Sequence, residues 1–403
     1  MSVIVDESTI HGEVEPGFEK VEREFIKNFT DRGEIGAVCA IYHEGKKVVD
    51  LWGGYRDFKR RLPWEEDTLV LVFSVSKGMC GMALAIAHSR GYLDYEEKVA
   101  TYWPEFAQQG KEKVTVRQLL SHQAGLSVVD ERLSRKVLAD LDATAAAIAR
   151  QKPAWEPGTR IGYHVVSLGF YENELMRRVD PQHRSIGRFI QDELIRPLDG
   201  GEFYIGTPAD IPEDRIAKIK DFGALEGLRH IRELPLPLVM GMMNPLSLTA
   251  SSFMYTLTYP PRRLCGPKMR VLEIPAANGI GQARAVARAY SAFAMGGGEL
   301  GIKEETMREL TAPAPVPSKE SRDKVIKVEV KASLGFMKPF PYFPFSSSDR
   351  AFGTPGLGGA FGYADPDAGT GYAYVPNKMV VGIANDSREK ALREAMYECL
   401  ERL

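Results

Sequence analysis

Residues 15–32 place Phe18, Val21, Phe25 and Phe29 among charged positions at helical spacing, which predicts an amphipathic first helix. The period then changes. Residues 36–43 (GAVCAIYH) and 46–52 (KKVVDLW) read as two strands around a Glu44-Gly45 turn, with Gly53-Gly54 ending the hairpin. A second helix is expected over 74–90, stopped by Gly91 at its C-terminus. From 94 to about 231 the chain reads as helical segments broken by Pro and Gly, and 234–261 is apolar without a clear period. Residues 312–318 (APAPVPS) read as a surface loop. Near the end, 371–384 (GYAYVPNKMVVGIA) predicts a strand pair about an Asn377-Lys378 turn, and 387–403 a last amphipathic helix. This order predicts α/β plus all-α architecture. Residues 1–75 and 300–403 would share one discontinuous sheet domain, and 76–299 would form a mostly helical domain.

The length of 403 residues supports that division, being too long for one compact core. Charge adds little: 52 Lys plus Arg against 54 Asp plus Glu leave a net charge of -2, so neither nucleic acid nor an anionic membrane is expected as partner. Cys39, Cys80, Cys265 and Cys399 show no CxxC spacing, and Cys39 and Cys80 sit in apolar runs as small hydrophobes. A reducing compartment suits them. The first residues carry early acids and no apolar stretch, so no secretory signal is expected. The most apolar window, 69–88, contains Lys77 and two glycines, which argues against a membrane span. The expected location is cytoplasmic.

Catalytic motifs narrow the chemistry. G-x-S-x-G is absent, which argues against the α/β-hydrolase elbow. H-E-x-x-H and Walker A loops are also absent, and the seven histidines are dispersed, so no metal or cofactor is implied. The glycine-rich LGGAFG run lacks the strand-to-helix setting of a dinucleotide site. Ser-x-x-Lys occurs three times. Serine and lysine at i and i+3 share one helix face, so an amine can take the hydroxyl proton during attack on a carbonyl. Ser321–Lys324 and Ser387–Lys390 lie in charged, solvated surroundings, where an amine stays protonated. Ser74-Val75-Ser76-Lys77 differs, because nearly all of 69–87 around it is apolar and burial disfavours a charged amine. At a helix N-terminus Ser74 also has free N–H groups beside it for an oxyanion. A capping serine with a snorkelling lysine is the competing reading of these four residues.

The run FSVSKGMCGMALAIAHSRGYLDYEEKVATYWPEF, followed by VTVRQLLSHQAGL, resembles the serine β-lactamase and penicillin-binding-protein superfamily. In particular it resembles the β-lactamase-like esterases (family VIII carboxylesterases), relatives of class C β-lactamases. The resemblance runs from about Phe18 to the C-terminus and is weakest over 234–261. It implies a β-lactamase/transpeptidase-like fold, an antiparallel sheet flanked by helices with a helical insert domain and the active site in the cleft. It also assigns Ser74 and Lys77 as nucleophile and partner. The family's second motif, a tyrosine often in Tyr-x-Asn, falls on Tyr163, after Trp155-Glu156-Pro157-Gly158. A phenol beside an ammonium can shuttle the proton to the leaving group. The Asn position is Val165, which removes an amide that β-lactamases use to hold substrate. His164 invites a triad reading, but adjacent side chains rarely converge on one site, so it reads as a histidine that supports the site from behind or simply packs.

For the third motif, Lys-Thr-Gly in β-lactamases, the resemblance points to Leu357-Gly358-Gly359, with Ala360 and Ser74 N–H groups forming the oxyanion hole. A second register puts Thr354-Pro355-Gly356 there. Leucine cannot recognise a substrate carboxylate as lysine does, so a neutral ester is expected and β-lactam turnover should be poor. Two further segments resemble family scaffold: 203–208 as a strand and 278–290 as a helix. Met240, Met242, Met243 and Met254 read as acyl-pocket lining, as core, or as a dimer face.

The sequence thus predicts a carboxylesterase-type serine hydrolase of short- to medium-chain esters acting through an acyl-enzyme on Ser74. A small-molecule ester is the expected partner, and a homo-oligomer is compatible. The rival readings are a β-lactamase or D-amino-acid peptidase, an acyltransferase, and an inactive binding relative on the same fold.

Overall fold

The computed structural model describes residues 9–221, 234–380, 382 and 384–403, with the side chains of 254–258 outside that set. Twelve strands are used below: β1 (Ile10–Val14), β2 (Gly36–His43), β3 (Lys46–Asp57), β4 (Leu62–Pro63), β5 (Val70–Phe73), β6 (Phe203–Tyr204), β7 (Gly279–Gly281), β8 (Ala332–Ser333), β9 (Phe336–Met337), β10 (Phe352–Pro355), β11 (Phe361–Asp365) and β12 (Thr370–Pro376). The main sheet runs β1-β3-β2-β12-β11-β10-β9-β8, with β4 beside β3. Every pairing in it is antiparallel. A second, three-stranded sheet is ordered β5-β7-β6.

The central strands come from opposite ends of the chain, with Val38 of β2 facing Val375 of β12. Both strands are buried almost throughout, which is why they read as continuous apolar runs rather than alternating ones. Helices α1 (Glu19–Thr30), α2 (Val75–Ser89), α3 (Ser167–Val179), α4 (Leu236–Met243), α5 (Leu248–Thr258), α6 (Ala283–Ala294) and α7 (Ser387–Leu400) are named here. Helix α6 packs on β12 and β2, and α1 packs against α7. In α1, Val21, Phe25 and Phe29 form the buried stripe that the sequence spacing predicted.

Three local expectations are corrected. Gly53 and Gly54 do not end the hairpin: β3 continues through them to Asp57. Gly54 has φ +75°, and a Cβ there would meet the Ile35 carbonyl oxygen at 2.0 Å. These glycines therefore bring strands together, not apart. Residues 371–384 are not a strand pair. The hairpin partner of β12 is β11, through the turn at 366–369, because Phe361 lies opposite Tyr374 and Asp365 opposite Thr370. Beyond Pro376 the backbone instead bridges Lys378 to Lys220, and 381 and 383 lie outside the described residues. Finally, 278–290 is not one helix: Gly279–Gly281 form β7 before α6 begins.

Between 94 and 221 the chain forms short helices, and the remainder of the expected helical stretch to 231 lies outside the described residues. The run after 234 folds into α4 and α5. Met240 and Met243 of α4 are exposed, whereas the Met254 side chain lies outside the described set. Among the described residues no helix is long and apolar enough to cross a membrane.

Candidate active site

Ser74 occupies the N-cap position of α2, directly after strand β5, and its side chain makes no capping hydrogen bond. Phe73, the last residue of β5, has φ +51°, a left-handed conformation that costs a bulky residue energy. Ser76 holds this turn: its hydroxyl donates to the Phe73 carbonyl at 2.5 Å and accepts from the Gly279 N–H at 3.0 Å. The strained turn leaves Ser74 partly exposed at the start of an otherwise buried helix.

Lys77, one turn on, is fully buried. Its Nζ donates to Ser74 Oγ at 2.9 Å, to the Val165 carbonyl at 2.8 Å and to the Ala276 carbonyl at 3.0 Å. An ammonium donates in all three directions, whereas the neutral amine gives its two N–H groups to the carbonyls and turns its lone pair to the Ser74 hydroxyl. Two fixed carbonyls from separate segments hold two N–H directions, so the third direction of the amine faces Ser74 Oγ. The Tyr163 ring lies 4.9 Å from the same Nζ. The other two Ser-x-x-Lys lysines are spent elsewhere: Lys324 pairs with Glu320 at 2.5 Å, and exposed Lys390 lies 3.6 Å from Glu394.

Tyr163 sits on a loop whose main chain is pinned at three consecutive N–H groups. Gly162 donates to the His122 carbonyl, Tyr163 to Asp323 Oδ2 at 2.7 Å, and His164 to His122 Nδ1 at 3.1 Å. Packing against Trp155 leaves no room for a side chain at 162, since a Cβ would lie 2.3 Å from the indole. His164 is buried with Nδ1 3.0 Å from His122 Nδ1. Burial, which disfavours the charged imidazole, lowers His164 to about 3 and His122 well below its ordinary value. Both rings are therefore neutral at pH 7. His164 packs against His122 behind the tyrosine. The contributions of His122, Asp323 and the Ala276 carbonyl carry no spacing signal in the sequence.

Ser74 and Tyr163 open on a cavity of about 100 Å³. Across it runs the end of β10, with Pro355, Gly356 and Leu357 in the lining. A Cβ on Gly356 would lie 2.7 Å from the Val72 carbonyl oxygen, so the strand end crosses close to the Ser74 turn. Gly358, Gly359 and Ala360 are not in this lining. The Gly358 carbonyl accepts from Arg388, and Gly359 and Ala360 border a different cavity beside Asp386. Thr354 is buried, its hydroxyl 2.7 Å from Tyr290 Oη. The rest of the lining includes Phe253, Tyr259, Phe340, Tyr342, Ile326 and Met337, and among the described residues none that lines it is charged. Among the described residues no group of His, Cys, Asp and Glu is arranged to hold a metal.

The family model for beta-lactamases matches residues 18–395. The chain belongs to the beta-lactamase family. Within that family it is 32% identical to the esterase/beta-lactamase LipL of Mycobacterium tuberculosis, over 92% of this chain and 83% of LipL. Its fold superposes on a family VIII carboxylesterase with a TM-score of 0.82 at 36% identity, covering 97% and 99% of the two chains. A penicillin-binding-protein homologue from Caulobacter crescentus gives 0.83 at 36% identity with the same coverage. These likenesses agree with the antiparallel sheet and flanking helices described above.

Proposed function

We propose that this chain is a serine hydrolase of neutral, short- to medium-chain carboxylic esters, with Ser74 as nucleophile. The observation that carries this reading is the Lys77 amine, held by two main-chain carbonyls and aimed at Ser74 Oγ at 2.9 Å. Ser74 Oγ bonds to the ester carbonyl carbon while its proton passes to the amine. The carbonyl oxygen becomes an oxyanion, met by the Ser74 N–H and an N–H at the end of β10. Of the two registers, the strand-end one is supported better, because Gly356 and Leu357 line the cavity with Ser74 whereas Ala360 does not; Leu357 is then the second donor. The carbon–oxygen bond to the alcohol breaks, and the leaving alkoxide takes its proton through Tyr163. Water activated by the same groups then releases the acid.

The uncharged lining supports the choice of substrate. A penicillin or a peptide terminus brings a carboxylate, and desolvating it without a partner is costly. Thr354, in the place of a lysine in that register, is turned to Tyr290. LipL is named both esterase and beta-lactamase, and the family VIII protein a carboxylesterase, so both names support ester hydrolysis. The division into a sheet domain and a helical domain, with the site in the cleft between them, belongs to the same proposal. So does a cytoplasmic location, with which the four free, buried thiols agree.

The test is turnover of p-nitrophenyl esters from acetyl to octanoyl, alongside nitrocefin, by wild type and Ser74→Ala. Ester turnover is expected to fall by about 10³-fold or more in the variant, with nitrocefin slow in both. Undiminished ester turnover in Ser74→Ala refutes the assignment, and nitrocefin turnover above that of the esters moves the function to β-lactam chemistry.

A further inference from the structure

The Ser321–Lys324 segment packs beside the Tyr163 loop. Residues 318–324 run alongside the Tyr163 loop: Ser318 N–H bonds the Gly158 carbonyl, Lys319 N–H the Thr159 carbonyl and Lys324 N–H the Ile161 carbonyl. Near its end Asp323 is buried, although it lies between Arg322 and Lys324 in sequence. Its Oδ2 accepts from the Tyr163 N–H at 2.7 Å, and its Oδ1 accepts from the Val325 and Ile326 N–H groups at 2.7 and 2.8 Å. Ile326 lines the substrate cavity. The Val325 carbonyl, next to it, accepts from Thr249 of α5, the helix that supplies Phe253 to the same lining.

We propose that Asp323 is a positioning residue for Tyr163, one carboxylate that locks the tyrosine's main chain and the Ile326 wall of the cavity into a single frame. The proposal rests on the reading of Ser74 and Tyr163 given above. An acceptor-only group is what this place requires, because three N–H donors converge on it. Asparagine has nearly the same shape, but whichever way its amide turns, its NH₂ faces an N–H donor. Asp323→Asn therefore repels either Tyr163 or the Val325–Ile326 pair and leaves buried donors without partners. Displacing the tyrosine by a fraction of an ångström is enough to slow proton transfer.

The experiment is a double-mutant cycle of Asp323→Asn and Tyr163→Phe, scored by p-nitrophenyl butyrate turnover and by the rate at which a fluorophosphonate probe labels Ser74. Asp323→Asn is expected to lower kcat by about 10- to 100-fold in the wild-type background and to have little further effect in Tyr163→Phe, because the group it positions is then already gone. Equal effects in both backgrounds, or no effect in wild type, overturn the proposal. If Asp323→Asn does not fold, Asp323→Ser, which keeps one oxygen acceptor in less volume, carries the same cycle. Wild-type activity in Ser74→Ala or Tyr163→Phe alone would instead refute the underlying site assignment, so the two failures are distinguishable.

Discussion

At the scale of single residues, burial sets the charge state of groups packed behind the site, His122, His164 and Glu172 among them. Glu172 of α3 is fully buried, and neither of its carboxyl oxygens has a hydrogen-bond partner among the described residues. Burial raises it from 4.5 to about 8, against the pull of the Lys77 charge. The folded chain thus keeps this proton up to about pH 8, while the unfolded chain loses it near 4.5. Between those values the unfolded state binds fewer protons, so stability falls as pH rises, by about 1.4 kcal/mol per unit from this group. Glu172→Gln keeps the shape without the titration. The variant's urea midpoint, relative to wild type, is expected to be higher at pH 8 than at pH 5. An equal difference at both values would show that Glu172 is not held protonated by the fold.

At the scale of elements, close approach matters more than propensity. Helix α6 lies on β12 so tightly that a Cβ on Gly371 would sit 2.2 Å from the Ser291 nitrogen and 2.4 Å from the Ala287 carbonyl oxygen. Both obstacles are helix backbone, which cannot rotate aside. Gly371→Ala should push the helix off the sheet and destabilise the protein by about 1–3 kcal/mol, read as a lower urea midpoint; an unchanged midpoint would mean that the helix shifts without loss. The same effect explains why the hairpin runs on past its two glycines. Gly53 and Gly54 look like a stop in one dimension, yet Gly54 is a place where β3 passes under the Ile35 carbonyl.

At the scale of the whole molecule, the two ends of the chain are tied in the core. Glu34 and Arg388 are both fully buried and joined at 2.7 Å, and Arg388 also bonds Asp386 at 2.6 Å and the Gly358 carbonyl. Tyr374 of β12 donates to Glu34 at 2.5 Å. Burial raises Glu34, the Asp386 charge adds to it, and the Arg388 charge is the largest influence opposing them. Removing one member of such a pair strands the other. Arg388→Ala is expected to cost about 3–5 kcal/mol and to lower ester turnover only in proportion to unfolded protein. Wild-type melting in this variant would show that the ion pair does not hold the termini together.

Much of this was legible along the chain. The amphipathic α1, the helix that carries Ser74 and Lys77, and a sheet drawn from both termini follow from spacing, because helix period and strand burial are local properties that survive projection onto a sequence. The choice of Ser74-x-x-Lys77 over its two copies was also local, since the apolar run around it differs from their charged surroundings. What only the tertiary structure decided is which distant groups meet. The Val165 and Ala276 carbonyls that aim Lys77 are main-chain atoms and have no residue-type signature. Asp323 lies in a charged segment that reads as solvated, yet it is buried because three N–H groups from two segments converge on it. Whether β10 presents Gly356 and Leu357 or the later glycines to the cavity depends on where the strand turns, and that is set by pairing with β11 and by the room beside Val72, not by the order of the glycines themselves.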